Sequence, residues 1–65
     1  MSLGLIKFVM AMIDRKVLAL KKNVLGVINI KSNTYEIWKL GKCSWSKVFS
    51  SLDKTTFEFN LMLMM

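Results

Sequence analysis

The sequence predicts a mainly β fold, an antiparallel meander of short strands with a short N-terminal helical segment. Apolar and polar side chains alternate with a period of two in several runs rich in β-branched and aromatic residues, a pattern typical of strands. The connections between neighbouring runs are short and polar, as hairpin turns require. The predicted elements are a helix over 3–14 and strands over 17–20, 24–31, 34–40, 43–49 and 56–64.

The N-terminal part of the chain fits two descriptions. The apolar run 3–13 has helical spacing, and the same spacing continues to Val24, with Gly26 where such a helix would end. Alternatively, two aliphatic runs on either side of a polar turn at 21–23 form a hairpin of strands. The alternative fold class is therefore α+β, an N-terminal helix on a small antiparallel sheet.

The run 3–13 also bears on localisation. Its eleven residues fall short of the roughly 20 that a membrane span needs. A secretory signal has positive charge ahead of its apolar core and a small-residue cleavage site after it, and the sequence shows neither. We therefore expect an intracellular protein, in the cytoplasm or nucleus, with no signal peptide or transmembrane span.

The second and third predicted strands form a hairpin whose register follows from the pattern. Asparagine tolerates the left-handed conformation of a tight turn, so residues 32–33 are the predicted loop. The resulting cross-strand pairs are Ile30 with Tyr35 and Ile28 with Ile37. All four side chains then share one buried face, and a slip by one residue would separate them.

Two further runs complete the predicted meander. The run 43–49 follows the short connection 41–42, although its alternation breaks at Lys47 and Val48. Residues 55–64 alternate throughout, which predicts a long strand with apolar side chains on both faces near its end. An exposed edge strand of this kind promotes self-association.

Two neighbouring segments resemble a motif of a known family. Residues 36–40 (EIWKL) and 45–49 (WSKVF) resemble the paired tryptophan strands of the F-box-associated region of plant F-box proteins. The aliphatic segments 17–20 (VLAL) and 24–27 (VLGV) are similar to the two strands that precede that motif in the family. The resemblance covers about half of the chain, 17–52.

The resemblance implies both a fold and a function. In that family the region is part of a kelch-like β-propeller that recognises substrates for ubiquitin ligases, and residues 17–49 match one blade. The chain departs from the family in a shorter loop between the tryptophan strands, in Asn23 where a turn glycine is usual, and in lacking a preceding F-box. We therefore expect one small domain or domain fragment over 1–65 with a blade-like core. Its expected function is that of a non-enzymatic protein-interaction module, similar to a truncated substrate-recognition region of a ubiquitin ligase receptor.

Composition predicts which partners the chain has. Of its 65 residues 54% are hydrophobic, more than a core of this size buries, so we expect a protein partner or self-association. The net charge of +6 is spread along the sequence, which favours solubility and predicts no sequence-specific nucleic-acid binding. The alternative function is a small basic subunit of a ribonucleoprotein or membrane assembly. A third hypothesis is peripheral membrane contact through an interfacial helix over 3–25.

The sequence contains no catalytic constellation. It has no histidine, one cysteine and no glycine-rich phosphate loop, and its four acidic residues lie far apart, so we expect no enzyme, no metal site and no cofactor. The candidate binding residues are Trp38, Trp45 and Lys47. A tryptophan on a basic surface can stack on a ligand, whereas packing against a neighbouring strand is its commoner role.

Overall fold

The computed structural model describes Met10 and residues 12–65. Within them, the elements in chain order are β1 Arg15–Lys21, β2 Val24–Asn29, β3 Thr34–Leu40, β4 Trp45–Ser51 and α1 Lys54–Met64. The strands form one antiparallel sheet in the order β1-β2-β3-β4, which confirms the predicted mainly β meander. The helix predicted over 3–14 lies largely outside the described residues, and 12–14 form a turn.

β1 and β2 form a hairpin in the segment where the sequence is compatible with a helix or with two strands. Their two-residue turn is Lys22-Asn23, and Lys22 takes the left-handed conformation with a φ of 53°. β2 has a hydrogen-bonded strand on each side and buries Val24, Leu25 and Val27. The strand alternative is therefore confirmed over 17–25.

The β2–β3 hairpin differs from the predicted register by two residues. The observed pairs include Asn29 with Thr34, Ile28 with Tyr35 and Gly26 with Ile37. The loop is therefore 30–33, and the predicted loop at 32–33 is wrong. The predicted place of Ile30 on the buried face is wrong as well, because this side chain is 61% exposed in the loop.

The side chain of Asn29 accounts for the longer loop. Its Oδ1 accepts hydrogen bonds from the backbone N–H groups of Lys31 and Ser32, at 3.1 and 3.2 Å, and so turns the chain directly after β2. Asn33 takes the left-handed conformation at the other end of the loop, with a φ of 56°. Because the shift is two residues and not one, the apolar side chains of β2 and β3 keep their predicted face.

Each edge strand contains a β-bulge. One lies between Val17 and Ala19 in β1, and the other interrupts the pairing of β4 with β3 between Lys47 and Phe49. The extra residue in the second bulge is Val48, and this explains why the alternation breaks at that point of the sequence. Bulges and lysines on edge strands hinder pairing with the sheet of another molecule.

The C-terminal run forms α1, and the strand predicted over 56–64 is wrong. The carboxylate of Asp53 caps the helix by accepting hydrogen bonds from the backbone N–H groups of 55–56. Phe57 packs onto the sheet, whereas Phe59 points outward and is 57% exposed. The exposed edge strand on which the prediction of self-association partly rests does not form.

α1 lies across β3 and β4 and covers one face of the sheet. The buried core consists of Val24, Ile37 and Phe57, with Tyr35, Phe49 and Leu61 packed around it. The ring centroids of Tyr35 and Phe57 are 5.2 Å apart. The described part of the chain contains no helix with the length and apolarity needed to cross a bilayer.

Candidate binding surface

The face of the sheet opposite α1 holds all three candidate binding residues. Side chains alternate along each strand, so the register assigns every residue to one of the two faces. We call the face opposite α1 the second face. Its larger side chains are Arg15, Val17, Leu20, Leu25, Val27, Glu36, Trp38, Leu40, Trp45 and Lys47.

Glu36 is the centre of a charged cluster on the second face. It lies on the central strand β3 and is only 2% exposed. Arg15 Nε donates a hydrogen bond of 2.6 Å to Oε1, and Arg15 Nη2 donates one of 3.3 Å to Oε2. Trp38 Nε1 donates to Oε1 at 3.0 Å, and Lys47 Nζ lies 3.8 Å from Oε2. Both carboxylate oxygens therefore have charged or polar partners.

These partners keep Glu36 ionised. Burial by itself raises the pKa of a carboxyl group, but the hydrogen bonds from Arg15 and Trp38 and the positive charges of Arg15 and Lys47 outweigh it. The pKa of Glu36 is therefore lowered from its ordinary value. The guanidinium carbon of Arg15 also lies 5.4 Å from the centroid of the Trp38 ring, a cation–π arrangement. The indole of Trp38 is thus oriented both by its N–H group and by its ring face.

An apolar depression lies on the same face, beside the charged cluster. It has a volume of about 210 Å³ and is lined by Met12, Val17, Leu20, Leu25 and Trp45. Leu25 is buried, whereas Val17 and Leu20 on the edge strand β1 are exposed. Exposed apolar side chains beside a depression are suited to receiving an apolar side chain of a partner.

The three candidate residues occupy two parts of this face. Trp38 and Lys47 are cross-strand partners, and both belong to the charged cluster. Trp45 pairs with Leu40 nearer the start of β4 and lines the apolar depression. Because Trp45 and Lys47 are two residues apart on one strand, the depression and the cluster are adjacent.

Arg15 and Glu36 complete the cluster, and neither was among the residues predicted from the sequence. One signal could have identified Glu36. It shares a strand face with Trp38 among apolar residues, and a charge at such a position is buried unless that face is exposed to water. Arg15 carries no comparable signal. Its contact with Glu36 joins residues 21 positions apart and depends on the registers of both hairpins.

The second face therefore combines tryptophan, arginine, lysine and aliphatic side chains. Protein interfaces are enriched in tryptophan and arginine, and these residues often contribute most of the binding energy. Among the described residues, no group of three His, Cys, Asp or Glu side chains is placed to hold a metal ion. What the surface offers chemically is positive charge, aromatic rings and apolar area.

Fold and surface together define a class of protein, a small four-stranded antiparallel sheet with one helix across one face and a candidate binding surface on the other. Comparison of the chain with protein-family models, with curated proteins and with solved structures found no match. The second face and the tryptophan motif in β3 and β4 are thus the observations that bear on function.

Proposed function

We propose that this chain is a non-enzymatic protein-interaction module of the kind represented by the substrate-recognition regions of F-box-associated ubiquitin ligase receptors. The second face is the surface that binds the partner. The observation that carries this proposal is the adjacency, on one face, of an exposed lysine, two tryptophans and an apolar depression.

The arrangement of the strands supports the connection to the family. The two segments of the tryptophan motif, 36–40 and 45–49, lie on the neighbouring strands β3 and β4. A four-stranded antiparallel meander is also the connectivity of one propeller blade. In a propeller, neighbouring blades cover both faces of such a sheet. Here α1 covers one face, which leaves the second face for a partner.

Charge indicates the chemistry of that partner. Arg15 already neutralises Glu36, and Lys47 lies beside the pair with its side chain 45% exposed, so the cluster has a net charge of +1. A partner segment that places an acidic side chain at Lys47 and an apolar side chain in the depression would match this surface. A second copy of the chain fits less well, because each copy has a net charge of +6 and the two would repel each other.

Selection of peptides from a random displayed library against the full chain tests the proposal. We expect selected peptides to combine aspartate or glutamate with large apolar residues. Calorimetric titration of one such peptide should then show Lys47→Glu weakening binding by at least about tenfold. Lys31→Glu is the matched control, since it makes the same change in charge, from +6 to +4, in the exposed β2–β3 loop.

Two results would contradict the proposal. One is that Lys47→Glu and Lys31→Glu weaken the binding of every selected peptide equally. The second face would then have no special role in binding. The other is tight binding to a structured RNA that survives high salt, which would favour the basic subunit of a ribonucleoprotein assembly instead.

A further inference from the structure

One end of the molecule brings together three chain segments that are distant in sequence. It comprises the β1–β2 turn, the β3–β4 loop over 41–44 and the C-terminal end of α1, and we call it the basic end. The backbone N–H of Leu40 donates a 2.8 Å hydrogen bond to the carbonyl of Asn23, which ties the turn to the start of the loop. Lys21, Met62 and Met65 line one depression, so α1 ends beside the same turn.

Four of the eight described lysines lie at this end, namely Lys21, Lys22, Lys39 and Lys42, and all four are exposed. Lys16, Lys31 and Lys54 lie towards the opposite end. Lys21 and Lys39 flank Val24 in one row across the sheet, on the face that carries α1. Lys22 lies in the β1–β2 turn and Lys42 in the β3–β4 loop.

Three of the four acidic residues lie away from this end. The carbonyl of Asp14 accepts a hydrogen bond from the N–H of Ile30 in the β2–β3 loop, and Asp53 caps the start of α1, so both lie at the opposite end. Glu36 is in the middle of β3 and is paired with Arg15. Glu58 lies in the middle of α1 and lines the depression that contains Lys21. The charge distribution is therefore polarised along the strands.

Exposed apolar side chains occupy the same end. In the last turn of α1 they are Met62, Leu63, Met64 and Met65, and in the sheet they are Leu20 and Leu40. The side chain of Leu63 is 68% exposed. Such side chains are costly to leave in water, and here they lie among lysines, with Glu58 as the one acidic side chain lining the same depression.

We propose that the basic end docks on the surface of an anionic lipid membrane. Lysine heads reach lipid phosphates and carboxylates, while leucine and methionine side chains enter the boundary between headgroups and acyl chains. A nucleic acid would pair with the lysines but leave the apolar side chains in water. A second copy docking by this end would bring two groups of four lysines together. This surface requires no interfacial helix over 3–25, part of which forms β1 and β2.

Vesicle binding by the full chain tests this inference. Cys43 is the only cysteine of the chain and is exposed in the β3–β4 loop, so an environment-sensitive dye on its sulfur reports contact of the basic end with lipid. We expect the dye emission to shift to the blue with mixed phosphatidylserine and phosphatidylcholine vesicles. With vesicles of phosphatidylcholine alone we expect no shift. Sedimentation of unlabelled protein with the same vesicles supplies the partition coefficient without the dye.

Matched variants locate the contact. Lys22→Gln with Lys42→Gln should lower the partition coefficient roughly 25-fold, since each lysine near an anionic surface contributes about fivefold. Lys31→Gln with Lys54→Gln also lowers the net charge from +6 to +4, but at the opposite end, and should lower the partition coefficient about threefold or less.

A second pair of variants tests the apolar contact. Leu63→Ser should lower the partition coefficient about tenfold. Leu52→Ser, at a leucine that is 75% exposed beside the start of α1, should leave it nearly unchanged.

Three outcomes would overturn the inference. The first is that binding does not depend on phosphatidylserine. The second is that the two lysine pairs lower the partition coefficient equally. The third is that the partition coefficient depends on the lysines but not on Leu63. The last two would indicate attraction by diffuse charge. Peptide binding depends on Lys47, which the vesicle variants leave intact, so failure of this inference and failure of the proposed function can be distinguished.

Discussion

The two faces of the sheet bury their central side chains in different ways, although the same strands carry both. On the face under α1, Ile37 is fully buried among apolar side chains. The preceding residue, Glu36, is buried on the second face beside the guanidinium of Arg15. Burial of apolar area stabilises by about 25 cal/mol per Å², whereas the attraction within a buried ion pair largely offsets its own desolvation. We therefore expect the α1 face to supply most of the stability and the second face to supply specificity.

The largest effect is expected on the α1 face. Phe57→Ala should lower the free energy of unfolding by about 3–5 kcal/mol, because it removes a buried ring from the contact of α1 with Ile37 and Tyr35. Phe59→Ala is the matched control on the exposed side of the same helix, and it should change stability by less than about 0.5 kcal/mol. Urea unfolding followed by circular dichroism measures both. Similar losses for the two variants would mean that α1 does not dock through Phe57.

The next largest effect tests the ion pair on the second face. Glu36→Ala should destabilise the fold by about 3 kcal/mol, because it leaves the largely buried guanidinium of Arg15 without its carboxylate. Glu58→Ala removes an exposed carboxylate from α1 and should have little effect. Glu36→Ala combined with Arg15→Met separates the two causes in the same unfolding experiment. If the double variant is no more stable than Glu36→Ala, an unpaired guanidinium is not the source of the loss.

Acid should weaken the contribution of Glu36 on the second face. The folded pKa of Glu36 is lowered from 4.5, so its contribution is complete above that value and disappears as the pH falls through the lower folded pKa. Asp53 acts in the same direction, since the hydroxyl and backbone N–H of Thr56 lower its pKa from 3.8. We expect the free energy of unfolding to decrease from pH 5 downward, and to decrease less steeply in Glu36→Gln. A parallel decrease in both proteins would exclude Glu36 as the group responsible.

A smaller effect tests how closely α1 approaches the sheet. A Cβ at Gly26 would lie 3.0 Å from Cδ2 of Leu61 and from Cζ of Phe57, closer than ordinary contact. Gly26→Ala should therefore destabilise the fold by about 1–2 kcal/mol. Gly41→Ala is the control, since its Cβ would meet only the carbonyl oxygen of Ser44, at 3.5 Å. Adding Leu61→Ala to Gly26→Ala should cost less than the sum of the two single losses, and simple additivity would refute the close approach.

The smallest effect on stability is expected at Lys47. Its Nζ lies 3.8 Å from Oε2 of Glu36 and its side chain is 45% exposed, so Lys47→Gln should change the free energy of unfolding by less than about 1 kcal/mol. The same variant should nevertheless weaken partner binding. A stability loss as large as that of Glu36→Ala would mean that Lys47 is needed mainly for the stability of the fold. It would then no longer be assigned to the binding surface.

How much of this structure could be predicted depends on the distance over which each feature is determined. Alternation is a local property, and it located β2 and β3 within two residues at each end. The break at Lys47 and Val48 was visible in the sequence, but a bulge is recognised only when the partner strand is known. The register of the β2–β3 hairpin depended on one side chain, Asn29, whose bonds to the loop compete with further strand pairing.

The C-terminal run shows where a local pattern is not sufficient. The alternation of apolar residues over 56–64 favours a strand. The cap at Asp53 and the residues with good helix propensity favour a helix. The sheet decides between them. Its apolar face needs a cover, and the helix provides one by placing Phe57 and Leu61, one turn apart, against that face.

By itself the sequence determined a mainly β chain and the order of its four central strands, because side-chain alternation and turn chemistry act over a few residues. Only the tertiary structure decided that the last segment is a helix, that Arg15 neutralises Glu36, and that lysines from residues 21–22 and 39–42 meet at one end. These features depend on contacts between residues 15 or more positions apart, whose energies are realised only when the strands pair in one register and α1 covers one face.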